Sequence, residues 1–89
     1  MNLVERVKKS YDATNGVLNG VTSAMSSRMT YNQYFQTSEG MQASRNLQDT
    51  FKEVDFVTFS LGSTPAAMKY LAMHPYNAVK ILRDVVTKK

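Results

Sequence analysis

The chain has 89 residues, a formal net charge of +4 from eleven Lys and Arg against seven Asp and Glu, and no cysteine. That length bounds it to a single domain, residues 1–89, and the missing cysteine excludes disulfides, thiolate metal sites and cysteine nucleophiles. One histidine, His74, is too little for a zinc site, so neither a metal nor a cofactor is expected.

The first thirty residues read as one helix. Val4, Val7, Tyr11, Thr14, Leu18, Val21 and Met25 recur at alternating steps of three and four, which is the spacing of a coiled-coil seam. Glu5, Lys8, Asp12, Asn15 and Asn19 fall on the opposite side and are polar. Beside the seam runs a second stripe, Ala13, Gly16, Gly20, Ala24 and Ser27. Small residues four apart let another backbone come close, whereas each glycine costs a helix about 1 kcal/mol relative to alanine. Something is therefore expected to press on Ala13, Gly16, Gly20 and Ala24, and a neighbouring copy of the chain is the expected occupant. Asn-Gly is also a turn signal, so Asn15-Gly16 and Asn19-Gly20 could instead mark two bends. The seam stays in phase through both glycines, which favours the helix.

Residues 30–40, TYNQYFQTSEG, read as a connection, with Ser38 as N-cap and Glu39 in the first turn of the next helix. A central helix is predicted over about 39–61 from Leu47, Phe51, Val54, Thr58 and Leu61. Its second half, VDFVTFSL, also has strand character. Gly62 is expected at C′, and Ser63 or Thr64 with Pro65 at N1 is expected to start the last helix. Met68, Leu71, Val79, Leu82 and Val86 are expected to supply its inward stripe, and Pro75 breaks that segment into a kinked helix or into two, roughly 65–73 and 75–88. Lys88 and Lys89 would then sit where the helix dipole favours cations. The predicted fold is all-α, a small bundle of three to four helices with a long N-terminal helix, a central helix and a proline-broken C-terminal helix.

No nucleophile elbow, phosphate-cradling glycine loop or metal-ligand spacing is present. Asp49, Glu53 and Asp55 surround Lys52 and read as a solvated mixed-charge face, so the chain is not expected to be an enzyme. Its longest apolar run is far short of the ~20 residues that cross a bilayer, and MNLVERVKK is too charged for a signal-peptide core. A cytoplasmic protein with no membrane partner is expected. The basic excess is too thin to point to nucleic acid as a partner.

The candidate ligand-binding residues are basic and aromatic. Arg6, Lys8, Lys9 and Tyr11 lie close together on the first helix. Lys and Arg could hold phosphates while a base stacks on the Tyr11 ring. A solvated face for the cations and core packing for Tyr11 are the competing readings. Arg28 is the lone charge between residues 13 and 38, and Arg45 stands among uncharged groups. The planar guanidinium fork suits anions, although Arg45 and Asp49 could simply pair at i, i+4.

LVERVKK at residues 3–9 and ASRNLQDTF at residues 43–51 resemble motifs of the phage anti-CBASS sponges, small helical oligomers that sequester cyclic oligonucleotides. That family carries Arg-x-x-Leu-Gln-x-x-Phe, whereas Arg45 here stands one residue closer to Leu47. The proline-broken C-terminal helix is a second departure. The resemblance implies a non-enzymatic homo-oligomer with an anionic ligand between subunits, Tyr11 stacking on it and Lys9 meeting its phosphates. Sequestration of a small anionic ligand such as a cyclic nucleotide, in phage counter-defence, is the leading expectation. Two alternatives stand beside it. One is a structural subunit of a phage particle or helical complex. The other is an adaptor or inhibitor docking on a host protein through Tyr31, Tyr34 and Phe35.

Overall fold

The computed structural model describes residues 2–87, and these form an all-α bundle. In chain order its helices are α1 (Leu3–Ser26), α2 (Tyr31–Tyr34), α3 (Ser38–Glu53), α4 (Phe56–Met73) and α5 (Pro75–Thr87). The predicted placement of Lys88 and Lys89 lies outside the described residues.

α1 runs unbroken through Asn15-Gly16 and Asn19-Gly20, so the helix prevails over the two bends. Its entry is fixed by Asn2, whose side-chain oxygen accepts the Glu5 N–H at 2.8 Å. Its exit is a Schellman turn: the Met29 N–H reaches the Ala24 carbonyl and the Arg28 N–H reaches that of Met25, both at 3.0 Å. Arg28 therefore occupies the left-handed position, at φ 67°, that glycine usually takes. Arg28→Gly is expected to raise stability by about 0.5–1 kcal/mol, read as a higher urea midpoint at unchanged slope.

The connection after α1 contains one helical turn, α2, closed by a reciprocal capping box between Thr30 and Gln33. α3 starts one residue earlier than expected. Thr37, not Ser38, is its N-cap and accepts the Gly40 N–H at 3.0 Å, with Glu39 in the first turn.

The largest correction concerns residues 54–65. The central helix ends at Glu53, not at residue 61. Val54 is extended (φ −120°, ψ 154°), and Asp55 caps a new helix by accepting the Thr58 N–H at 3.2 Å. α4 then passes straight through Gly62, Ser63, Thr64 and Pro65. Gly62 is no C′ residue, and Pro65 is an interior helical residue without an N–H to give. The Leu61 carbonyl therefore receives no helical hydrogen bond from residue 65. The expected break at Pro75 is present: α4 ends at Met73, His74 caps it, and Pro75 opens α5.

The Asp55 cap has a measurable signature. Hydrogen bonds from Thr58, aided by the nearby Arg6 charge, hold the Asp55 carboxyl below its ordinary value of 3.8. A carboxylate stabilised in the folded state contributes stability above the unfolded value and loses it as pH falls through the folded one. Asp55→Asn is therefore expected to unfold at lower urea than the parent at neutral pH, and the gap should close in acid below that value.

α1 is the central rod. Ser10, Thr14 and Thr22 meet α4 at Gly62, Ser63 and Tyr70, in the same order along both helices, so α1 and α4 run parallel. Their contact is close because α4 buries Thr58, Gly62, Ala66 and Tyr70 every four residues. A Cβ on Gly62 would collide with the Val7 carbonyl oxygen and lie 2.7 Å from Ser10 Cβ. Hydroxyls seal the seam: Thr14 Oγ1 to Ser63 Oγ at 2.6 Å and Thr22 Oγ1 to Tyr70 Oη at 2.5 Å. α3 runs antiparallel to α1, with Glu53 paired to Lys9 at one end and Thr37 beside Gly20 at the other. α5 folds across the end of the bundle. There Ile81 packs on Val21, Ala24 and Tyr34, and the buried Asp84 accepts the Tyr31 N–H at 3.1 Å.

Candidate interaction surface

The cations singled out from the sequence do not converge. Lys9 is ion-paired with Glu53. Arg6 is half-buried beside Asp55, and its Nε is buried without a hydrogen-bond partner. Both therefore face the corner between α3 and α4. Lys8 and Tyr11 lie on another side of α1, where they line a groove against Leu61, Gly62 and Pro65 of α4. Tyr11 has Lys69 Nζ 5.9 Å from its ring centroid. Hydrogen bonds from Asn15 and then Lys69 draw the Tyr11 hydroxyl below its ordinary pKa. Arg28 stands at the far end of α1, and Arg45 is exposed on α3 with no ion pair to Asp49. Within one chain, then, Lys8 and Tyr11 share a groove, Arg6 and Lys9 share a charged corner, and Arg28 and Arg45 stand apart.

The small-residue stripe also has a different occupant. Gly20 and Ala24 are covered by the chain's own Tyr34. Gly16 is exposed with nothing within 4 Å of a built Cβ, and Ala13 is half-buried. Part of the stripe thus gives α2 its seat inside the chain, while Gly20, Ser23, Ala24 and Ser27 still line a shallow groove beside Tyr34. The aromatic trio of the connection is likewise turned inward. Tyr34 is 4% exposed, and Tyr31 and Phe35 pack on the same cluster through edge-to-face rings 4.9 Å apart.

What the fold leaves outside is apolar. Opposite its buried face, α4 presents Val57, Leu61, Thr64, Met68 and Leu71, a seam at steps of four and three. Val57 and Met68 are each 64% exposed, and Leu61 and Leu71 each 54%. Only Lys69 is charged along the whole of α4. The α1 flank adds Leu3 and Val4; the α5 flank adds Val79 and Leu82, all more than half exposed. Between α4 and α5 lies a groove of about 530 Å³, lined by Leu18, Ala67, Leu71, Pro75, Val79 and Leu82 among others. The buried hydrophobic residues among those described, by contrast, are Val21, Ala24, Tyr34, Val54, Ala66 and Tyr70, with no Leu, Ile, Phe or Met. A helix apolar on all sides is ordinarily enclosed, and here α4 is enclosed on one side only. That was the signal available in the sequence: FVTFSLGSTPAAMKYLAM keeps an apolar stripe on either side of its small residues.

No protein-family model, no curated protein and no solved structure matches this chain. Among the described residues, no three His, Asp or Glu side chains come together as metal ligands. None of the described helices is long and apolar enough to cross a membrane.

Proposed function

We propose that this chain is a non-enzymatic helical assembly protein of the cytoplasm whose working form is a homo-oligomer joined through the outer face of α4. The observation that carries this reading is the amount of surface left exposed. Folded monomers of 10.0 kDa present about 5,200 Å², whereas this chain presents 6067 Å². The excess, about 800 Å², matches what each partner buries in a standard stable interface. The exposed apolar residues of α4 and its flanks form the face offered to a partner. Light scattering over a concentration series tests the proposal: an integer multiple of the chain mass is expected, and a mass of one chain throughout overturns it.

A second reading, phage counter-defence by sequestering a cyclic nucleotide, is favoured by one feature. Lys69 stands by the Tyr11 ring and Lys8 lines the same groove at the edge of the apolar face, offering two cations and a ring to a ligand held between copies. A cyclic dinucleotide should then raise the melting temperature, and flat melting curves across a panel of cyclic nucleotides would remove this reading.

A further inference from the structure

The geometry points to a specific pairing: α4 packs antiparallel against α4 of a second copy, and Phe56 and Val57 of each enter the groove between α4 and α5 of the other. This inference rests on the proposal that the chain self-associates, and it supplies the partner and the register.

The outer seam of α4 is self-complementary. In an antiparallel pair, positions of the two kinds in a four-three repeat face each other. Setting Leu61 against Leu71 of the second copy also sets Thr64 against Met68. The same register carries the start of one α4 to the level of Pro75 in the other. At that start stand Phe56 and Val57, 71% and 64% exposed, which are apolar side chains with no cover of their own. At the level of Pro75 lies the groove of about 530 Å³.

The sides agree as well as the levels. At 100° per residue, Phe56 shares a side of α4 with Ala67 and Leu71, the side flanked by α5. A two-fold axis lying in the interface, perpendicular to α4, brings that side of each copy onto the same side of the other. The protruding pair at one end and the groove at the other are then exchanged twice, as a closed two-fold interface requires. Charge is consistent with a copy as occupant. α4 carries one lysine and no carboxylate between Phe56 and Met73, so two such faces meet without an unpaired carboxylate, and Lys69 is drawn aside over Tyr11. About 800 Å² of excess surface is what one partner in a dimer needs.

The chain has no cysteine, so single cysteines report the register. Leu61→Cys and untagged Leu71→Cys proteins are mixed, the former carrying an affinity tag, and oxidised mildly with diamide. The antiparallel pairing predicts the mixed disulfide as the main product, with few tagged–tagged or untagged–untagged pairs. Homodisulfides in excess would mean a parallel arrangement. They would overturn this inference while leaving self-association standing, as would an oligomeric mass with no cross-link at all. A one-chain mass removes both. Phe56→Asp and Leu71→Lys are each expected to weaken the dimer roughly a hundredfold, because a two-fold interface buries each change twice. Their helical circular dichroism should stay that of the parent. If they leave the dimer constant unchanged, the register is wrong. Vesicles of phosphatidylserine and phosphatidylcholine complete the test: pelleting of a protein that stays monomeric in solution would make the occupant a lipid surface and overturn the inference.

Discussion

Gly62→Val is expected to cost at least about 3 kcal/mol and to leave the protein largely unfolded in mild urea. Extra carbon atoms in a packed interior cost about 1–3 kcal/mol when side chains can move aside. At Gly62 the obstacle is the backbone of α1. A Cβ there meets the Val7 carbonyl oxygen and comes 2.9 Å from the Tyr11 nitrogen. Neither can turn away as a rotamer would, so α1 and α4 must separate along their length. The separation would also stretch the Thr14–Ser63 and Thr22–Tyr70 hydroxyl contacts, which span the same seam. A chain of this size has roughly 5–10 kcal/mol of stability in all. The control lies in α1. Gly16 is helical and has nothing within 4 Å of a built Cβ, so Gly16→Ala should stabilise by about 1 kcal/mol. Urea midpoints of the two variants should move in opposite directions. Equal and small shifts would mean that α1 and α4 do not approach each other at Gly62.

That contrast shows where local signals stopped being informative. Seven seam residues in phase outweighed two Asn-Gly pairs, and α1 is continuous. The break at Pro75 was legible because proline constrains both its own φ and the residue before it. The sequence around 54–65 misled for an equally local reason. Gly62 followed by Ser63, Thr64 and Pro65 is a good helix end and a good helix start, yet the glycine is demanded by the crossing with α1. The true boundary, Val54-Asp55, is marked only by an acidic N-cap inside an apolar run. Of the small stripe of α1, Gly20 and Ala24 are places of close approach, whereas Gly16 has open space beside it. The stripe's occupant was not legible, because nothing local to Gly20 announces that Tyr34, fourteen residues on, folds back onto it. The outer face of α4 went unread for a related reason. Its apolar residues were counted as core, and with the other four helices arranged around α1 no described element is left to cover them.

Tyr34→Ala should be the most damaging change outside the α1–α4 seam. Tyr34 is 4% exposed and joins four parts of the fold. Its ring packs with Val21 and Ala24 of α1, lies edge-to-face with Phe35, and meets Ile81 through the shared cluster; its hydroxyl rests on Gly20. Truncating a buried aromatic ring to alanine costs about 3–5 kcal/mol when the cavity cannot collapse, and here the rigid α1 forms one wall. Tyr34→Phe should cost less than about 1 kcal/mol. The hydroxyl has no hydrogen-bond partner among the described residues, and burial already pushes its pKa upward, so little is lost with it. The pair also decides what Gly20 and Ala24 are for. If they seat this chain's own tyrosine, the loss in Tyr34→Ala relative to the parent is the same at every protein concentration, and Gly20→Leu unfolds the monomer instead of splitting an oligomer. A deficit that vanishes as concentration rises would return the stripe to a neighbouring subunit.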